Sequence, residues 1–172
     1  RAPRSTRAGW VTMPALPPPP RPLAFDDAKR SLERDVYDGA HRVEIYCGCA
    51  YDERKNVDWN ACESAHPYVP ASDERDRAGR MEWDHVLPAS FIGQTFACWS
   101  EPAGRGSHRD HCRDVSEGFA EAEGDMHNLL PSVGQLNAIR DNFPFAELAG
   151  EDHVANCDFE VRDRLVEPRT EA

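Results

Sequence analysis

The sequence predicts an α+β fold of mixed short strands and helices, stapled by disulfides. Three observations carry that reading. Helix signals occupy two separated stretches, around "FDDAKRSLERDVY" and "SVGQLNAIRDNF". Short strand-like runs such as "MEWDHV" and "NLLP" lie between them. Six cysteines are spread over 172 residues, which reads as a disulfide framework and hence an oxidising compartment, periplasmic or secreted.

The elements follow in chain order. Residues 1–22 carry prolines and arginines without apolar period and read as an extended tail or linker, polyproline-like around Pro17 to Pro20. The start at Arg1, with no charged-then-apolar leader, fits a mature or trimmed form. The folded domain is expected over 23–172. A helix is predicted from Phe25 to Tyr37, with Asp26 as its cap and Ala28, Leu32 and Val36 at helical spacing. "HRVEIYCGCAY" alternates and predicts a strand. "DERKNVDWNACESAHP" is loop, and "ASDERDRAGR" is a solvated turn or short helix leading into the strand "MEWDHV". From Gly93 to Gly124 the chain reads as irregular, a long loop containing "PAGRGSHRDHC"; such loops are usually functional or stapled. "DMHNLLP" predicts a short strand ending at Pro131, and "SVGQLNAIRDNF" a helix with Ser132 as N-cap. "CDFEVRDRL" is a last strand or short helix. No internal repeat is visible, and no apolar run approaches the roughly 18 residues of a membrane span, so no membrane partner is expected.

The formal net charge is −11, from 31 acidic against 20 basic residues. This argues against a body coated with positive charge for gripping nucleic acid. It leaves room for a basic groove, because counterion release depends only on the few cations that meet phosphates. The basic residues are arginines except for Lys29 and Lys55. The cysteines Cys47, Cys49, Cys62, Cys98, Cys112 and Cys157 allow fifteen pairings, which sequence alone leaves open. Structural zinc is the rival reading. Against it, "CGCAYDE" with Cys62 and His66 lacks the CxxC spacing of a zinc ribbon, and "HRDHC" has no matching second half.

The chemistry-bearing residues come in a definite order: "DHVLP", then "HNLLP", then a helix bearing Asn137. Hydrolysing a phosphodiester needs a base for water, a cation for the charge on the phosphorane and leaving oxygen, and donors for the phosphate. Histidine suits the first because it titrates near neutrality. Asp and Asn oxygens suit a Mg²⁺ that keeps several waters. Arginine suits the third. On a regular strand Asp84 and His85 point to opposite faces, so a shared site requires a twist, a bulge or approach from the strand end.

Taken together, "MEWDHVLPASFIG", "ACWSEP", "RDHC", "DMHNLLPSVGQLNAIRDNF" and "YCGC" resemble the bacterial endonuclease I family: periplasmic or secreted nonspecific nucleases of the ββα-metal (His-Me finger) superfamily. The resemblance runs from about Phe25 to Pro168, with its blocks in the same order. It implies a ββα-metal motif with His85 as general base and Asp84 and Asn137 as ligands of one divalent cation, Mg²⁺ first, Ca²⁺ or Mn²⁺ as alternatives. It also implies that Asn128 holds the loop between the strands in shape; His127 beside it reads, from its place on a short strand, as a supporting residue that bonds backbone or lines the groove. Arg109 would hold the scissile phosphate; Arg105 is the alternative, matching better by its distance from Cys98 and Trp99. The implied reaction is sequence-nonspecific cleavage of DNA, with RNA a second substrate class, leaving 5′-phosphate ends. Two departures stand out. The family usually has glutamate where this chain has Asp84, one methylene shorter. The chain stops at "LVEPRTEA" where the family usually continues into a helix and a cysteine-containing tail, so this is either a short member or one lacking a C-terminal piece, and a cysteine missing its partner would be a free thiol.

Arg140 and Asn142 are equally readable as DNA contacts and as braces of the last helix. His108 and His111 read as exposed loop residues, His41, His66 and His153 as surface, and Trp59, Trp83 and Trp99 as packing in or around the core. A monomer is expected. Two other functions stay in view: a degenerate nuclease that only binds nucleic acid or a protein, and a toxin domain of a larger secreted effector, matched by an inhibitor or immunity protein.

Overall fold

Strand β1 (Met81–His85) pairs antiparallel with β2 (Leu129–Val133), which sets Asp84 opposite Leu130 and His85 opposite Leu129. Helix α6 (Gly134–Arg140) follows β2 without a break. These three elements belong to a computed structural model that describes residues 24–63, 66–104, 106–150 and 152–169. The tail 1–22 and Arg105 lie outside the described residues. Before the β1–β2 pair come α1 (Phe25–Asp35) and α2 (Arg75–Ala78); between its strands lie α3 (Ala89–Gly93), α4 (His108–Val115) and α5 (Glu117–Glu123). Two further antiparallel pairs close the chain: β3 (His153–Val154) with β4 (Cys157–Asp158), and β5 (Glu160–Arg162) with β6 (Leu165–Glu167). The fold is therefore α+β, as the sequence predicts.

Several local expectations are corrected. Helix α1 ends at Asp35, and its N-cap is Ala24 without a side-chain cap; Asp26 sits in the first turn and pairs with Lys29 at 2.7 Å. The predicted strand "HRVEIYCGCAY" is a sequence of turns and isolated bridges. The cause is Glu44. Its wholly buried carboxylate accepts the backbone N–H groups of Tyr46 at 2.9 Å and of Cys47 at 2.7 Å. It also accepts those of Cys49 at 3.0 Å and Val133 at 3.3 Å. A side chain that collects three nearby N–H groups curls the backbone and removes them from any ladder. Ser132 is not a helix cap but a residue of β2, its hydroxyl donating to the Glu82 carbonyl at 3.0 Å; the cap position of α6 is Val133. Gly134 lets α6 start hard against α2, since a Cβ there would lie 2.6 Å from the Arg77 carbonyl oxygen.

The stretch read as an irregular loop after Gly93 holds two helices. Ser107 and Asp110 form a reciprocal capping box that starts α4, with the Asp110 N–H reaching Ser107 Oγ at 3.1 Å. This S-x-x-D signal satisfies two orphan donors of the first turn. Ser107→Ala is expected to lower stability by about 1 kcal/mol, read by urea denaturation.

All six cysteines pair: Cys47 with Cys157, Cys49 with Cys62, and Cys98 with Cys112, leaving no free thiol. This removes structural zinc. Among the described residues the group with metal-ligand spacing is Glu44, Cys47 and Cys49, and its sulfurs are bridged while its carboxylate is filled by N–H donors. The main core joins Tyr46, Tyr68, Val133, Leu136, Phe159 and Val166 around the first two bridges. A second cluster, Ala28, Leu32 and Leu129, fixes α1 to β2. A third packs Phe119 on the Cys98–Cys112 bridge. Trp59, Trp83 and Trp99, expected in or around the core, are half-buried and pack against the first, second and third clusters respectively. No helix among the described residues is long and apolar enough to cross a membrane.

Candidate active site

Asp84 and His85 are the last two residues of β1, and both are buried. They line one cleft of about 270 Å³ together with Trp99, Arg109, Asn137, Arg140 and Asn142. The opposite-face problem is resolved by position, since the strand ends there and the cleft wraps around its end. Arg140, at the last turn of α6, ties that end down. Its guanidinium donates to Asp84 Oδ1 at 2.6 Å, to the His85 carbonyl, and to the Val86 carbonyl at 2.6 Å, and its Nε donates to the Phe143 carbonyl at 3.1 Å. Arg140 is fully buried, which favours a bracing role over contact with DNA.

His85 is anchored from the far side. Its Nε2 lies 2.9 Å from the Glu123 carbonyl oxygen. A carbonyl can only accept, so Nε2 carries the proton and Nδ1 keeps the lone pair. The imidazole stacks on Phe25, with centroids 5.3 Å apart and planes 23° apart. Burial pushes its pKa below the ordinary histidine value, opposed by the Glu123 carbonyl and assisted by the nearby Arg109 charge. The Glu123 carboxylate, itself wholly buried, binds Arg109 Nε and two Arg113 nitrogens at 2.7 Å each. Ion pairing keeps that carboxyl low despite its burial.

Asp84 and Asn137 share the cleft, and their donor chemistry suits a hard cation. Asp84 Oδ2 accepts the Tyr46 hydroxyl and Oδ1 accepts Arg140. Each carboxylate oxygen has two acceptor sites; Tyr46, Arg140 and the His85 backbone N–H fill three of the four, so one is left for a ligand. Burial pulls the Asp84 carboxyl up, against the downward pull of Arg140 and Tyr46. Asn137 Nδ2 donates to Glu82 Oε2 at 3.0 Å, which commits the amide nitrogen and leaves the amide oxygen for a ligand. Glu82 is in turn held by Arg77 at 2.9 Å and Arg80 at 2.8 Å. Two oxygen donors, one of them charged, are of the kind a hard divalent cation takes.

The other expected residues fall as follows. Arg109, on α4, lines the cleft; its Nη2 is buried and has no hydrogen-bond partner. Asn142 lines the cleft as well. Asn128 stands outside it, clasping the chain after β1: its Oδ1 accepts the Leu87 N–H at 2.7 Å and its Nδ2 donates to the Leu87 carbonyl at 3.0 Å. His127 is exposed and pairs with Asp125 at 3.1 Å. His111 pairs with Glu101 at 3.0 Å, and His108 lies near Trp99. His41, His66 and His153 are exposed. Four residues escaped the sequence reading: Tyr46, Glu82, Glu123 and Phe25. Only Glu82 left a signal, standing two residues before Asp84 and so on the same strand face.

Fold and cleft together place the chain among disulfide-stapled α+β proteins with a histidine-centred polar site at a strand end. The model of the Endonuclease I family matches residues 24–170, and the chain belongs to that family. It is 35% identical over 150 residues to an "Extracellular deoxyribonuclease" of Aeromonas hydrophila, covering 84% of this chain and 60% of that protein. It is 32% identical over 157 residues to a "Periplasmic deoxyribonuclease" of the same organism, covering 86% and 62%. It is 30% identical over 132 residues to an "Endonuclease-1" of Buchnera aphidicola subsp. Baizongia pistaciae, covering 72% and 49%. The chain thus spans less than two thirds of the length of these relatives.

Proposed function

We propose that this protein is a metal-dependent, sequence-nonspecific endonuclease that hydrolyses DNA phosphodiesters, working in an oxidising compartment outside the cytoplasm. The observation that carries the reading is the anchoring of His85: Nε2–H is held by the Glu123 carbonyl in a buried, neutral ring that lines one cleft with Asp84, Asn137 and Arg109. That arrangement leaves Nδ1 to take a proton from a water attacking in line with the scissile P–O3′ bond, giving a 5′-phosphate. Arg109 offers the unpartnered Nη2 for a phosphate oxygen. Asp84 and Asn137 would complete a ββα-metal motif on β1, β2 and α6. A divalent cation held by them would supply charge neutralisation at the phosphorane and the departing oxygen. The relatives' names support DNA as substrate, and the three disulfides support the compartment.

The test is supercoiled plasmid incubated with the protein in Mg²⁺ and in EDTA. Nicking followed by linear and shorter products is expected in Mg²⁺ alone. A degenerate, binding-only protein draws support from the Arg140 charge already seated on Asp84; uncut plasmid, with no rise in melting temperature on Mg²⁺ addition, would decide for it.

A further inference from the structure

Beside the catalytic cleft lies a second one of about 340 Å³, lined by Lys29, Lys55, Phe25, Glu82, Trp83 and Arg109 among others. The two clefts share Trp83 and Arg109. The whole chain has only two lysines, 26 positions apart in sequence, and both line this one concavity. We propose that it is a second phosphate subsite, holding the nucleic-acid backbone next to the phosphate being cut. The inference rests on the nuclease reading for its substrate but on separate residues for its evidence.

The positions of the two ammonium groups are built. Lys29 projects from α1 over the Phe25 ring, 4.3 Å from its centroid, and Arg109 lies 5.1 Å from the same centroid. Lys55 sits at φ 67°, in the left-handed region where a side chain is disfavoured. Such an outlier persists only where surrounding structure imposes it. Here Asp52 accepts the N–H groups of Arg54 and Asn56, each at 2.8 Å, and the Lys55 carbonyl accepts the Met81 N–H at 2.8 Å, which docks the turn on the start of β1.

The acids that face the cleft do not cancel it. Lys29 touches Asp26 and Lys55 touches Glu33, but an ammonium has three donors and each of these contacts occupies one. Half-exposed pairs of this kind are weak, and a phosphate can join or replace the carboxylate. Glu82 is already met by Arg77 and Arg80. On a body of net charge −11, three cations gathered at the edge of the cutting site, each touching one carboxylate (Asp26, Glu33 and Glu123), are where counterion release can act.

The experiment is equilibrium binding of a fluorescent duplex of about twenty base pairs in EDTA, across roughly 0.05–0.3 M salt. The K29Q/K55Q protein is expected to bind about tenfold more weakly per lysine near 0.1 M salt. Its slope of log K against log salt should shrink by about two. The K29R/K55R protein, which keeps both charges, is expected to retain affinity and slope. An unchanged slope in K29Q/K55Q overturns the subsite, as does equal loss in the arginine protein. The nuclease reading is separable. A protein that binds with the full slope and responds to the lysine changes, yet leaves plasmid uncut in Mg²⁺, loses the enzyme and keeps the subsite.

Discussion

His85→Ala is expected to lower the initial rate of plasmid nicking about 10²–10⁴-fold, the usual contribution of a positioned general base. The physical reason lies in the ring's two nitrogens. Nε2–H is fixed on the Glu123 carbonyl, so of the ring's two nitrogens only Nδ1 can accept a proton. Asp84 is engaged by Tyr46 and Arg140. The pH profile follows from the same geometry. Burial holds the imidazole pKa below its ordinary value of about 6.5. The competent neutral form therefore persists to lower pH than in a free histidine, and the acid limb of kcat/KM should fall below pH about 6.5. The sign carries over to stability. The unfolded chain binds the proton more readily, so His85 costs stability as pH falls from about 6.5 towards the folded pKa. A variant that nicks as fast as the unaltered protein would remove His85 from the reaction.

How far the site was legible depended on whether a residue's role is local. The β1–β2–α6 order could be read because "MEWDHV", "NLLP" and "GQLNAIR" are short runs with their own period and stops. The capping box of α4 was equally local, an S-x-x-D signal, but it sat among glycines and arginines that read as loop. The turn at Glu44 was not legible in the same way. "VEIYCGC" alternates like a strand, and the pattern does not reveal that a carboxylate will collect the N–H groups needed for a ladder. Glu123 illustrates the limit. What it gives His85 is a backbone carbonyl, and a backbone atom leaves no trace in residue type. Its side chain, meanwhile, serves Arg109 and Arg113. Phe25 marks the start of α1 in sequence and stacks on a histidine 60 positions away only because α1 packs on β2.

Arg140→Met is expected to destabilise the fold by about 3–5 kcal/mol in urea or thermal unfolding, the cost of stranding a buried charge. Arg140 bonds one carboxylate and three backbone carbonyls, and all of its side chain is out of water. Methionine fills similar space and covers Phe145, 4.4 Å from the guanidinium, but offers no donor. Asp84 would then keep only the Tyr46 hydroxyl and the His85 backbone N–H. Burial already raises its pKa, and Arg140 is the charge that opposes the rise; without it the carboxyl moves further up. Such a group binds more protons folded than unfolded, so its contribution is lost as pH rises through that window. The deficit of the methionine protein against the unaltered one should therefore be larger at pH 7 than near pH 4. Arg140→Lys separates charge from geometry. One ammonium can meet Asp84 but cannot also span the carbonyls of His85, Val86 and Phe143, which a planar fork reaches together. It is expected to recover the pH dependence while recovering only part of the stability. A lysine protein as stable as the unaltered one would mean the ion pair alone holds the end of β1, and that the three carbonyl contacts add nothing.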